Sequence, residues 1–245
     1  MHVSQAGAGS LLVILIALST FVAMICHIVA FATDYWLVSN GKSSFLRIGF
    51  HRACFEDCRN PYCPASGDQF IYNGCYGIND IYFREISKWL KPDWYMHVRN
   101  MTIVNVPLTF VCCVLTIIAA VVVGVWRYPR AKTRNRYVVL LAMLALSATA
   151  IFASAVLALV TLGQFYMNSF NYGWMPMPYK NHLGYSYWLE VATCIFLMLS
   201  LMGCVVAFVF KMLHMYNPHE KDAADDMMMG RSLEETARSY ATTRY

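Results

Sequence analysis

Four stretches of the chain run for more than twenty positions with almost nothing polar to interrupt them. Leu11–Ala32 holds no charged residue, and Ile103–Trp126, Val138–Leu162 and Trp188–Phe210 hold among them only Glu190. Each is long enough, at 1.5 Å of rise per residue, to cross about 30 Å of hydrocarbon as a helix. The pattern therefore predicts four membrane helices at about 11–32, 103–126, 138–162 and 188–210. The first stretch exceeds the roughly 7–15 apolar residues of a secretory leader and no Lys or Arg precedes it, so it is expected to be a retained span. Between the spans lie a long segment (33–102), a short basic one (127–137) and a middle-sized one (163–187), with a polar tail at 211–245.

Composition agrees with this pattern. The chain has 245 residues, 58% of them hydrophobic and 13% charged, with a mean hydropathy of +0.45. Soluble domains carry about twice that charged fraction. The net charge is +5, and Arg127, Arg130, Lys132, Arg134 and Arg136 supply an excess of that size within one short loop that has no acid. Short Arg/Lys-rich loops stay in the cytoplasm. Both termini are then cytoplasmic, and 33–102 and 163–187 lie outside. The basic excess reads as a topology anchor that also attracts anionic lipid, not as a nucleic-acid patch.

That orientation gives the cysteines their meaning. Cys54, Cys58, Cys63 and Cys75 all fall in the first outer loop, and Cys26, Cys112, Cys113, Cys194 and Cys204 fall inside spans. Outside the cell thiols oxidise, and four cysteines allow two disulfides in three pairings. Four zinc ligands are the rival reading, but the spacings lack paired C-x2-C knuckles. About seventy residues with few strongly apolar runs cannot build a core of their own, and cross-links offset that deficit. Alternation at Ser44–Ile48 and Gln69–Tyr72 predicts short strands, with turns at Asn60–Pro61 and Asn73–Gly74. The expected architecture is an all-α, four-helix, left-handed membrane bundle carrying a small disulfide-stapled extracellular β-sheet.

The order of landmarks resembles the claudin superfamily, which includes peripheral myelin and epithelial membrane proteins and the stargazin-type channel gamma subunits. That family's pattern is a Trp after the first span, then Gly-Leu-Trp-x-x-Cys, then a second Cys. Here Trp36, Gly49-Phe50-His51-Arg52-Ala53-Cys54 and Cys63 match it, with Phe50 and His51 standing where the family has Leu and Trp. Leu90–Arg99 resembles the lead-in to the second span, Arg99 matching the family's arginine, and Gly184-Tyr185-Ser186-Tyr187-Trp188 resembles the start of the fourth. The resemblance implies a claudin-like membrane domain over 1–210 and a Cys54–Cys63 disulfide, leaving Cys58–Cys75 as an extra pair. It also implies a plasma-membrane protein whose outer loops organise cell contacts, junctions or other membrane proteins. The alternative it implies is an auxiliary subunit that modulates a channel or receptor in the same membrane.

Other candidate sites are weighed residue by residue. Glu190 and His27, ionisable groups within spans, are expected to be structural, Glu190 reaching headgroups or pairing with Arg99. Ala150, Ser154 and Ala158 recur every four residues and are expected to pack inside the bundle. Phe165, Tyr166, Phe170, Tyr172 and Trp174 crowd the second outer loop beyond what interfacial anchoring requires, and aromatics of this kind carry protein contacts. The Asn100-Met101-Thr102 sequon is expected to be unused so close to the membrane. The tail is expected to be disordered, its Thr243-Arg244-Tyr245 terminus suited to a PDZ scaffold. Expected partners are lipids and other membrane proteins, either its own kind, related claudin-like proteins, or a channel. No cofactor, metal or catalytic motif is read, and no enzyme activity is expected. A pore through the bundle is the weakest reading, because no polar stripe is seen along the spans.

Overall fold

The computed structural model describes residues 5–40, 44–58, 71–125, 134–175 and 177–216. Its long helices are α1 (Gln5–Ala32), α3 (Asp93–Val125), α4 (Arg134–Ser169) and α5 (Tyr185–Tyr216), with a single-turn α2 (Ser87–Leu90) leading into α3. Within them Leu11–Ala32, Asp93–Gly124, Val138–Ser169 and Tyr185–Leu213 are long and apolar enough to cross a membrane. The helices form a closed ring in which α1 packs on α3 and α5, and α4 on the same two. Aliphatic side chains such as Leu15, Val104, Leu146 and Leu199 face outward, as the surface of a bundle in lipid requires.

All four helices exceed the hydrophobic runs that predicted them. α3 starts at Asp93, ten residues before the apolar run. Tyr95, Val98 and Thr102 are buried there while Asp93, His97 and Asn100 are exposed, a helical period that mean hydropathy does not register. α4 continues through Phe165 and Ser169, both buried, with Tyr166 and Met167 exposed between them. α5 runs to Tyr216, six residues into the expected tail; the rest of that tail, including Thr243, Arg244 and Tyr245, lies outside the described residues. So do Arg127, Arg130 and Lys132, whereas Arg134 and Arg136 begin α4.

The bundle interior is more polar than the spans suggest. Thr20, Asn105, Thr109, Thr116, Ser147, Ser154, Thr161, Thr193 and Ser200 are all buried among Val13, Ile16, Cys112, Ala119, Leu144, Ile151 and Leu197. Many of these groups tie helices together. Thr20 and Thr116 lie 2.7 Å apart across α1–α3. Ser154 donates to Asn105 at 2.8 Å and meets Thr109 at 2.9 Å across α3–α4. Ser19 donates to the Phe196 carbonyl at 3.0 Å across α1–α5. Small residues permit this closeness: Ser154 and Ala158 face inward with no exposure.

At one end of the bundle, where α1 ends and α5 begins, sits a five-stranded antiparallel sheet in the order β4-β3-β2-β1-β5. Its strands are β1 (Leu37–Ser39), β2 (Phe45–Ile48), β3 (Arg52–Cys58), β4 (Tyr72–Gly77) and β5 (Asn181–Leu183). β5 comes from the second loop and pairs with β1, so both loops contribute to one sheet. Asn73–Gly74 is not a turn but lies inside β4. Gly74 takes φ +102 opposite Phe55, and the pairing slips between Phe55 and Cys58, where Asp57 has φ 49. The left-handed backbone that suits Asn-Gly to turns here serves a bulge. Tyr82 covers the β4 edge, its hydroxyl donating to the Ile71 carbonyl at 3.2 Å and accepting from Asn73 N–H at 3.1 Å.

The sheet also corrects the disulfide pairing. Cys54 is bonded to Cys75, not to Cys63, and Cys75 is therefore not paired with Cys58. Antiparallel register explains it: Cys54 and Cys75 are directly opposite on β3 and β4, with Cα atoms 4.1 Å apart, the separation of a close cross-strand pair. Cys58 is itself disulfide-bonded, and Cys63 lies outside the described residues, as does the Asn60–Pro61 turn. An S–S bond at Cys54 also removes the four-ligand zinc reading.

Candidate functional site

The link from α1 to the sheet, Thr33–Trp36, is where loops and bundle lock together. Trp36 is fully buried and its indole N–H donates to the Ala30 carbonyl at 2.7 Å, which turns the chain back over the end of α1. Around its ring lie Phe50 at 4.3 Å, Phe165 at 5.1 Å and Tyr187 at 6.2 Å. Those rings come from the β2–β3 turn, α4 and α5. Tyr95 of α3 closes the group, 6.0 Å from Phe50, and its hydroxyl donates to the Gly49 carbonyl. One aromatic cluster thus joins the sheet to all four long helices.

Two glycines let the backbones meet. A Cβ on Gly49 would stand 2.6 Å from the Thr33 carbonyl oxygen, and one on Gly184 would meet the Tyr35 carbonyl and stand 2.9 Å from Val38 Cγ2. Gly184 N–H donates to Trp36 C=O and Ser186 N–H to Tyr35 C=O, each at 3.1 Å. The Ser186 hydroxyl lies 2.7 Å from Thr33 Oγ1 and accepts from Tyr35 N–H at 3.2 Å. Tyr185 stacks on Tyr35 at 4.6 Å, and the Arg47 guanidinium lies over the Tyr35 ring, 4.6 Å from its centre. The start of α5 is therefore a clasp on residues 33–36. Gly184→Ala should force this clasp apart and cost about 1–3 kcal/mol, readable as a lowered melting temperature in detergent.

Phe50, standing where the resemblance has Leu, is fully buried in this cluster. His51 is exposed and meets Phe31, in the last turn of α1, edge-on at 4.6 Å. Partial burial, and after it the nearby Arg99 guanidinium, hold the His51 imidazole below its ordinary range. Because the folded protein resists this proton, the contribution of His51 to stability falls as pH drops through the ordinary imidazole range. Arg99 lies half-buried beside this group, and it is not the partner of Glu190. Glu190 is bonded instead to His27, at 2.6 Å, with both side chains at or below 1% exposure.

The five second-loop aromatics divide into two sets. Phe165 and Trp174 are core residues, which corrects their reading as partner contacts. Trp174 packs on Trp94 at 4.7 Å and Tyr95 at 5.7 Å, and its N–H reaches the Leu90 carbonyl at 3.4 Å. Tyr166, Phe170 and Tyr172 remain outside, Tyr172 at 84% exposure. Met167 and Tyr179 join them, and Ile81 of the first loop is 80% exposed. Composition does not single out these last three, because exposure at one position leaves no periodic signal. Buried aromatics hold a rigid frame, and exposed ones decorate it. Asn100 is exposed on the second turn of α3.

No curated protein matches the chain in sequence. A family model described as PMP-22/EMP/MP20/Claudin tight junction matches residues 21–206. That span takes in the second part of α1, both loops, the whole sheet, the Trp36 cluster and the clasp on Gly184. With four membrane-spanning helices and a disulfide-stapled sheet built from both loops, the chain belongs to the PMP-22/EMP/MP20/Claudin family of multi-pass membrane proteins.

Proposed function

We propose that the chain is a non-enzymatic organiser of cell contacts at the plasma membrane, with the sheet outside and both termini in the cytoplasm. Its outer surface binds a second membrane protein, either its own kind or a related claudin-like chain. The observation that supports this most is the exposed set Tyr166, Met167, Phe170, Tyr172 and Tyr179, mounted on a frame cross-linked at Cys54–Cys75. Large apolar side chains held out on a rigid support bind without paying much ordering entropy, and Tyr in particular supplies contact energy. Inward-facing Ser154 and Ala158 leave the small-residue stripe of α4 to intramolecular packing, which favours the loops over the spans as the docking surface. The Thr243-Arg244-Tyr245 terminus would add a cytoplasmic PDZ scaffold.

The test is a triple variant, Tyr166→Ser with Phe170→Ser and Tyr172→Ser, purified in mild detergent beside the wild-type protein. Wild type is expected to self-associate and to concentrate at cell borders, and the variant to lose at least about tenfold in association while melting at the same temperature. A channel or receptor at fixed stoichiometry in both preparations, with no self-association, would replace this reading by the auxiliary-subunit one.

A further inference from the structure

The His27–Glu190 pair is the one ion pair among the described residues, and the Trp36 cluster and the clasp do not use it. Nδ1 of His27 lies 2.6 Å from Oε2 of Glu190, joining α1 to α5. The remaining polar atoms, Nε2 of His27 and Oε1 of Glu190, are buried without hydrogen-bond partners. His27 lies five residues from the end of α1 and Glu190 five from the start of α5, so the pair sits about 8 Å below the clasp at 1.5 Å per residue. On α1 it continues the buried stripe Thr20, Ala23, His27, Ala30, and on α5 the stripe Ser186, Glu190, Thr193, Leu197. Ala30 holds Trp36, and Ser186 holds Tyr35. What moves the pair therefore moves the seat of the sheet.

We propose that His27 and Glu190 form a proton-binding latch, closed when the two share one proton and loosened when they hold two or none. With one proton the pair is neutral overall, as imidazolium and carboxylate or as imidazole and carboxylic acid. A second proton leaves imidazolium beside a neutral carboxylic acid, a net positive charge in hydrocarbon. Loss of the proton leaves a carboxylate beside neutral imidazole, a net negative one. Either hydrogen bond survives, but an uncompensated charge inside a bundle is strongly unfavourable. Among the described residues no second ion pair cancels it. Cys26 on α1 and Cys194 on α5 are the thiols within reach of the Glu190 charge. On α4 no residue between Tyr137 and Tyr166 ionises, and on α3 none does between Arg99 and Cys112. Arg99, Asp34 and Arg52 act on His51 at the sheet junction.

The test uses the full chain in lipid nanodiscs, carrying His51→Gln so that the surface imidazole drops out. Melting temperature is followed by tryptophan fluorescence between about pH 4 and 9, which brackets the ordinary carboxylate and imidazole ranges. The His51→Gln parent is expected to melt highest at an intermediate pH. On both sides it should fall by about 3 °C per pH unit relative to a His27→Gln/Glu190→Gln double variant. The single variants should slope in opposite directions, Glu190→Gln losing stability toward acid and His27→Gln toward base. Either one carries the test if the double variant does not fold. A parent with the same profile as the double variant, or single variants sloping alike, would overturn the latch.

Discussion

Replacing Trp36 by alanine is expected to unseat the sheet from the bundle and to cost about 3–5 kcal/mol, the range for removing a large aromatic from a packed core. The side chain is fully buried and touches rings delivered by the β2–β3 turn, α4 and α5. No single neighbour can collapse into the space without pulling its own element out of place. The indole N–H adds a bond to Ala30, so Trp36→Phe should recover most of the packing yet still lose about 1 kcal/mol. Thermal unfolding in detergent, paired with limited proteolysis of the 33–102 segment, would read both variants. The alanine variant should become protease-sensitive in the sheet at temperatures where the helices remain folded. A variant that melted like wild type would remove the aromatic cluster from its central place.

Opening the Cys54–Cys75 bridge is the second large effect. It closes a segment with a sequence separation of 21, and constraint of the unfolded chain over such a loop is worth about 3 kcal/mol. Cys54→Ser, Cys75→Ser and the double variant should be destabilised to about the same degree, because each removes the same bond. Peptide mapping of the non-reduced protein should recover Cys54 and Cys75 in one cross-linked fragment. Recovery of Cys54 linked to Cys63 would contradict the register of β3 and β4.

The spans were legible because hydrophobic length is a one-dimensional property. The ends of α3 and α4 were not, since Tyr95, Val98, Phe165 and Ser169 alternate with polar or exposed neighbours and leave mean hydropathy low. β5 has three residues, Asn181–Leu183, two of them polar; only its pairing with β1 makes it a strand. The family pattern located Cys54 correctly, but its partner follows from which residue lies opposite on the neighbouring strand, a fact of register. Within the second loop, composition could not separate Phe165 and Trp174 from Tyr172. Burial depends on where each ring lands against Trp94 and Trp36. His27 and Glu190 are 163 positions apart, and each alone resembles an isolated polar intrusion. Their equal depth from the sheet end of their helices was the available clue, and the adjacency of α1 and α5 completes it.

The claim on which function rests is that this sheet is oxidised and faces the outside. Intact cells would be treated with a membrane-impermeant maleimide, with or without prior impermeant reductant, and Cys54 and Cys75 read by mass spectrometry. Cys75, the exposed member of the bridge, should resist labelling until the reductant is added and then react without permeabilisation, whereas Cys54 is fully buried and reacts only as the reduced sheet opens. Labelling that required permeabilisation, or that proceeded without reductant, would place the loops inside or leave them uncross-linked and would contradict the account.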